Sequence, residues 1–185
     1  MANTVLVTGG CGYIGSVLVR ALVERGYTVR VLDKLYFGED ALAEIADQIE
    51  LVAGDVRTIG ESVLDGVWGV AHLGSLSNDP TSDFHPEASE SINYRGTVRL
   101  AEMCKCRGVT RFTFASTCAV YGFWLDREAD ESEPTAPQSA YASSKLDAEA
   151  ALMRLADDEF HPTVLRQATV FGLSPRMRWD LVLNA

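Results

Sequence analysis

Short runs of β-branched and aliphatic residues punctuate this chain at spacings that suit strands: "TVLVTG" at 4–9, "TVRVLD" at 28–33, "IELVAGD" at 49–55, "WGVAHLG" at 68–74, "RFTFAST" at 111–117 and "PTVLRQATV" at 162–170. Between them the sequence has helix-like character near 13–25, 39–47, 87–107 and 139–157. In the first of these Ile14, Val17, Leu18, Ala21 and Leu22 recur at helical spacing. Strand and helix alternating in this way predict an α/β fold, a doubly wound parallel sheet with helices on both faces. The last strand runs into "LSPRMRWDLVLNA", which reads as a loop feeding an apolar helix. One domain is therefore expected over 1–172, with 173–185 as the start of a second, substrate-binding region whose continuation is missing.

Composition narrows the partners more than the fold. A chain of 185 residues with 47% hydrophobic and 23% charged residues is ordinary for one soluble domain. No apolar run approaches the roughly 18 residues of a membrane span, so no membrane partner is expected. The net charge of −10 argues against nucleic acid, whose binding rests on basic surface. The opening "MANTVLVTGG" carries no basic stretch or cleavage site, and a cytoplasmic location follows as the expectation. Cys11, Cys104, Cys106 and Cys118 have neither zinc-ribbon nor redox spacing and read as unpaired thiols; no set of metal ligands is present.

The chemistry starts with "TGGCGYIG" at 8–15, which follows a strand and opens a helix. It satisfies G-x-x-G-x-x-G through Gly9, Gly12 and Gly15, and G-x-G-x-x-G through Gly10, Gly12 and Gly15. Such a loop supplies a tight turn, close backbone approach to a diphosphate, and tight helix-to-strand packing: the Rossmann dinucleotide signature. Asp33 ends the second strand about 20 residues later, where a carboxylate accepts the adenosine ribose hydroxyls and repels a 2′-phosphate. NAD is the expected cofactor, with Lys34 at the same end, and Asp55 in "AGDVR" is a candidate for the adenine.

"YASSK" places Tyr141 and Lys145 four residues apart on one helix face. A tyrosine that acts as a base near neutrality needs its pKa lowered by about 3 units, or about 4 kcal/mol. One ammonium about 4 Å away supplies that much at an effective dielectric near 20. Ser116 and Thr117 stand at the C-terminal end of a strand, the edge where ligands of open parallel sheets bind, and offer hydroxyls to share that proton. His72, Cys118 and Trp68, in or beside strands, read as packing residues.

Taken in order, "TGGCGYIGS", Asp33, "GDV", "AHLGS", "NYRGT", "ASTCAVYG", "YASSK" and "LRQATVFG" resemble the extended short-chain dehydrogenase/reductase family, and within it the NAD-dependent nucleotide-sugar epimerases and dehydratases. The resemblance implies Tyr141 as base, Lys145 as its partner and ribose ligand, and Thr117, with Ser116 beside it, as the sugar-contacting hydroxyl. It implies Gly9, Gly12, Tyr13, Ile14 and Gly15 around the diphosphate, Asp33 on the ribose, and Asp55 with Val56 at the adenine. Leu73, Gly74, Ser77 and Asn93 would line the middle of the cofactor, and Gln167 and Thr169 would lie near nicotinamide and sugar.

The same resemblance implies a nucleotide-sugar substrate, C4 epimerisation through a 4-keto intermediate, and a homodimer through the helices at 87–107 and 139–157. The 4,6-dehydratases of this family carry an Asp-Glu pair where this chain has Cys118 and Ala119, which disfavours dehydration. Relatives of this kind also continue into a smaller nucleotide-gripping domain, so a cofactor-binding module without turnover is the alternative, with a keto-sugar reductase as a third reading. Arg176 and Arg178 are candidates for a substrate diphosphate.

Overall fold

The computed structural model describes residues 2–77, 84–122, 128–181 and Asn184. Strands β1 (Thr4–Thr8), β2 (Thr28–Asp33), β3 (Ile49–Ala53), β4 (Val67–His72), β5 (Arg111–Thr117) and β6 (His161–Gln167) form one parallel six-stranded sheet in the order β3-β2-β1-β4-β5-β6. This is the order of a doubly wound Rossmann sheet, with the chain reversing direction across the sheet between β1 and β4. Helix α1 (Tyr13–Glu24) follows β1, and α4 (Ala140–Leu155) precedes β6.

Alternation along the strands divides the core in two. Val5 and Val7 of β1 join Val29 and Val31 of β2 and Val19 of α1 on one face. Leu6 points the other way, to Leu32, Val70, Phe112, Phe114, Phe160, Leu100 and Leu152. Both faces of the central strands are thus buried, which is why they read as continuous apolar runs. Beside α1 the first face carries a groove lined by Leu18, Leu22, Ala71, Thr113 and Leu165. Trp68, expected to pack, sits at its rim 37% exposed, with the Arg111 guanidinium over its ring at 4.5 Å.

The predicted elements shift in informative places. The helix expected at 39–47 is a 3₁₀ stretch, Asp40–Gln48, kinked at Ile45, because only Ala41 and Leu42 are buried and a short segment with so little apolar face does not sustain an α-helix. The helix expected at 87–107 comprises α2 (Pro86–Ser89), a π turn (Glu90–Gly96) and α3 (Thr97–Cys106). β6 ends at Gln167, earlier than expected, so Thr169 lies beyond it and is exposed. In place of a loop leading straight into an apolar helix, residues 172–181 run in bends and turns. The tail of that expected helix, Val182, Leu183 and Ala185, lies outside the described residues.

That segment folds back onto the glycine loop. The Tyr13 hydroxyl donates to the Gly172 carbonyl at 2.7 Å, Ser174 Oγ donates to the Tyr13 carbonyl at 2.7 Å, and Asn184 Nδ2 donates to the Tyr13 hydroxyl at 3.0 Å. All four cysteines are free, with Cys11 and Cys104 buried. Cys118, expected to pack, is exposed at the start of a 3₁₀ turn, Cys118–Tyr121. No helix of the described residues is long and apolar enough to cross a membrane.

Phe160 is fully buried where its ring meets Phe112 at 5.9 Å, between α4 and β6. Phe160→Ala is expected to lose about 3–5 kcal/mol of unfolding free energy, read as a lowered urea midpoint at unchanged slope.

Candidate functional site

A cavity of about 640 Å³ opens at the C-terminal ends of the strands, across the switch point between β1 and β4. The glycine loop forms its floor. Gly9 adopts φ +71, and a Cβ there would lie 2.8 Å from the Gly74 nitrogen. A Cβ on Gly15 would lie 2.1 Å from the Gly9 carbonyl oxygen, and one on Gly10 would lie 2.6 Å from Val31 Cγ1. Gly9, Gly10 and Gly15 are therefore demanded by packing of the protein on itself. Gly12 is different, since a Cβ there would meet only the Gly9 carbonyl oxygen, at 3.2 Å. Its missing side chain leaves space at the N-terminus of α1, where no side chain caps the helix and no acidic residue occupies the first turn. Free first-turn amides at a helix N-terminus are the donor set a diphosphate requires.

Asp33 lies at the end of β2, where its Oδ2 accepts the Cys11 amide at 2.9 Å and its Oδ1 the Leu35 amide at 2.8 Å. These bonds aim the carboxylate into the cavity and leave a lone pair on each oxygen. Asp55 is more heavily engaged. Arg57 grips both its oxygens through Nε at 2.9 Å and Nη2 at 2.6 Å, and Lys34 Nζ lies 3.2 Å away. The Arg57 hydrogen bonds hold the Asp55 carboxyl far below the usual carboxylate range. Arg57, which the sequence did not single out, thus fixes the residue expected at the adenine. Val56 is buried beside it in the cavity wall. Burial, reinforced by the Asp33 and Glu39 carboxylates, pushes the Cys11 thiol up to about 12, so it is a packing group of the loop.

The facing wall consists of Leu73, Gly74 and the segment to Ser77. Asn93, at the π turn and fully buried, grips this segment by the backbone: its Oδ1 accepts the Leu76 amide at 2.8 Å, and its Nδ2 donates to the Leu76 carbonyl at 3.0 Å. The same Nδ2 donates to Ser144 Oγ on α4 at 3.2 Å. Asn93 therefore acts on the cavity through Leu76. Arg176 and Arg178 line the mouth, with Arg176 over the Phe37 ring at 4.3 Å and Arg178 Nη1 donating to Ser77 Oγ at 3.3 Å.

At the far end Tyr141, Lys145, Ser116 and Gln167 line the same cavity. Lys145 is 2% exposed; its Nζ donates to the Ala115 carbonyl at 2.8 Å and lies 5.8 Å from the Tyr141 ring centre. Spacing alone treats Lys145 as a full ammonium, but burial pushes it down to about 7, with Glu149 opposing. Glu149, one turn further along α4, was not among the sequence candidates, although it shares the face of Tyr141 and Lys145. Ser116 Oγ donates to Glu149 Oε1, and Arg166 forks the same carboxylate through Nε and Nη2 at 3.0 and 2.7 Å. Arg166 Nη1 also donates to the Tyr121 hydroxyl at 2.9 Å. The Ser116 hydroxyl thus serves the buried ion pair. Thr117 Oγ1 accepts the Ala119 amide at 3.1 Å and caps the turn that follows β5. Thr169, exposed beyond β6, does not line the cavity, and no metal-binding group occurs among the described residues.

Comparison with known proteins gives this geometry its context. Residues 5–182 match the NAD dependent epimerase/dehydratase family. UDP-glucose 4-epimerase of Streptomyces lividans is 37% identical over 151 residues, 79% of this chain and 45% of the relative. UDP-glucose 4-epimerase from Brucella ovis in complex with NAD superposes with a TM-score of 0.81 at 28% identity, covering 89% of this chain and 51% of that one. An NAD-dependent NDP-hexosamine 5,6-dehydratase of tunicamycin biosynthesis superposes at 0.77 with 31% identity, covering 88% of this chain and 52% of that one. This chain spans about half the length of the relatives it matches.

Gly15→Ala drives a methyl group into the Gly9 carbonyl, and calorimetry is expected to show at least about a hundredfold loss of NAD affinity. Lys145 has a folded pKa below its ordinary value of 10.5, so its charge destabilises the fold fully below about pH 7 and ceases to do so above about pH 10.5. Lys145→Met is therefore expected to gain stability of the order of a few kcal/mol at about pH 6, with the gain vanishing by about pH 10.5 in urea titrations.

Proposed function

This chain belongs to the NAD-dependent epimerase/dehydratase family, with NAD as its cofactor, and on that premise we propose that the complete protein inverts a nucleotide sugar at C4. The observation that carries the reading is the stacking of Tyr141 above Lys145 on α4, in the wall of the cavity whose floor is the glycine loop. NAD, when bound, would supply reversible hydride-transfer chemistry beside these residues. Gly12, Tyr13, Ile14 and Gly15 would hold its diphosphate, Asp33 the adenosine ribose, and Asp55 with Val56 the adenine.

As the phenolate, Tyr141 would take the hydroxyl proton of the sugar and become the phenol, and it would return that proton when the other epimer forms. When protonated, Lys145 lowers the cost of the phenolate by its charge. Lys145 would also hold the nicotinamide ribose, Gln167 would lie near the nicotinamide, and Thr117 would contact the sugar. Ser116 contributes indirectly by holding Glu149. Leu73, Gly74 and Ser77 flank the middle of the cofactor. The Leu73–Ser77 wall and the 172–181 segment limit water at the cavity mouth.

Two features favour epimerisation over its neighbours. Cys118 and Ala119 carry no carboxylic acid to expel a hydroxyl, which separates the reading from dehydration. A reductase would consume NADH in net terms, whereas an epimerase leaves it unchanged, and absorbance at constant substrate distinguishes the two. A homodimer through the segment 87–107 and α4 belongs to the same reading. The half-length match supports the alternative that this chain by itself is a cofactor-binding module.

Tyr141→Phe in the complete protein is expected to reduce nucleotide-sugar epimerisation at least about a thousandfold while NAD affinity changes by less than about threefold. Full activity in that variant overturns the assignment.

A further inference from the structure

His72 is one of three histidines, and it is the buried one; His85 and His161 are exposed. It ends β4, stacked against Phe114 and tilted against Phe112, and both ring nitrogens have partners: Nδ1 with Thr8 Oγ1 at 2.6 Å and Nε2 with Thr97 Oγ1 at 2.8 Å. The partners extend the chain in both directions. The Gly74 amide meets Thr8 Oγ1 at 3.0 Å, and Thr97 Oγ1 meets the Asn93 carbonyl at 2.7 Å.

The ends fix the direction of every bond between them. The Gly74 amide can only donate, and the Asn93 carbonyl can only accept. Thr97 has one hydroxyl hydrogen and gives it to Asn93, so it accepts from His72 Nε2. In a neutral imidazole Nδ1 is then the acceptor, and it takes the Thr8 hydroxyl hydrogen; Thr8 accepts the Gly74 amide on a lone pair. Each hydrogen is used once. A proton on Nδ1 would leave the Thr8 hydroxyl hydrogen pointing at a donor, so the charged ring breaks the chain. Burial and the nearby Lys145 ammonium push in the same direction.

We propose that His72 is a positioning residue of the cofactor cleft, a neutral Nε2-protonated strut that sets how far the Gly74–Leu76 wall stands from the glycine loop. The wall is held at one end by Thr8 through Gly74, and at the other by the Asn93 side chain through Leu76. Both anchors converge on the one imidazole. Thr8 immediately precedes Gly9, whose backbone touches Gly74, so a change in ring position moves both sides of the cleft. The proposal rests on the cleft binding NAD, and it concerns affinity rather than chemistry.

The test combines spectroscopy and titration on the 185-residue chain. Long-range proton–nitrogen correlation spectra should show the Nε2–H tautomer of His72, unchanged between about pH 5 and about pH 9. His72→Phe keeps an aromatic ring and removes both bonds; its NAD dissociation constant should rise about tenfold or more. His72→Gln, whose amide still reaches one partner, should recover part of the loss. Phe160→Leu, which weakens the same core without touching the relay, should leave the constant unchanged. An Nδ1–H tautomer, titration near neutrality, or wild-type affinity in His72→Phe overturns the proposal. If the wild-type chain binds no NAD, the cofactor reading fails for this chain, and the tautomer measurement decides the strut alone. If His72→Phe does not fold, His72→Gln and the spectra carry the decision.

Discussion

Backbone meets backbone at the centre of this sheet, where Gly9 leaves β1 and Gly74 follows β4 with no room between them for a methyl group. The contact requires a positive φ and no side chain at Gly9, while a Cβ on Gly74 would sit tightly, 3.1 Å from Thr8 Oγ1. It brings the exits of two neighbouring strands together at the switch point and leaves a cleft above them. The other parts of the site are set from this contact. α1 starts where the loop ends, Gly15 seats its first turn on the Gly9 carbonyl, and the wall from Leu73 to Ser77 begins one residue before Gly74.

The Tyr141 end of the cleft is organised by buried charge. Glu149, Arg166 and Lys145 lie within one layer between α4, β5 and β6, and such charges are tolerated only when their polar atoms are matched. Arg166 takes both carboxylate oxygens, Ser116 takes one of them as well, and Tyr121 receives the remaining guanidinium arm. Lys145 is left with a backbone carbonyl and two aromatic rings. The asymmetry keeps the arginine charged and leaves the lysine close to losing its proton. One buried ion pair thus stiffens the cleft while its neighbour remains free to respond to what binds there.

Much of the architecture was legible because burial on both faces writes itself into strands such as "TVLVT" and "RFTFAST", and because the glycine spacing has a steric cause. Tyr141 and Lys145 were legible through helical spacing, and both line the cleft. What sequence could not supply were partners brought together by topology. Ser116 looks like a free strand-end hydroxyl until Glu149 arrives from a helix 33 residues on. Asp55 looks open until Arg57, two residues later, curls back onto it. His72 looks like core until two threonines from opposite sides meet its nitrogens. Glu149 alone left a trace, four residues after Lys145 on the same face.

The π turn at Glu90–Gly96 has an evolutionary consequence. A wide turn accommodates one residue more than a regular helix, and one residue is worth about 100° of rotation. On one side Asn93 must face Leu76; on the other Leu100, Ala101 and Cys104 must face the core. Deleting a single residue here would leave two sound helical segments in conflicting phase, one of them turned away from its partners. In lineages descended from this sequence, gaps should therefore be scarcer between 90 and 96 than anywhere on the surrounding helical surface.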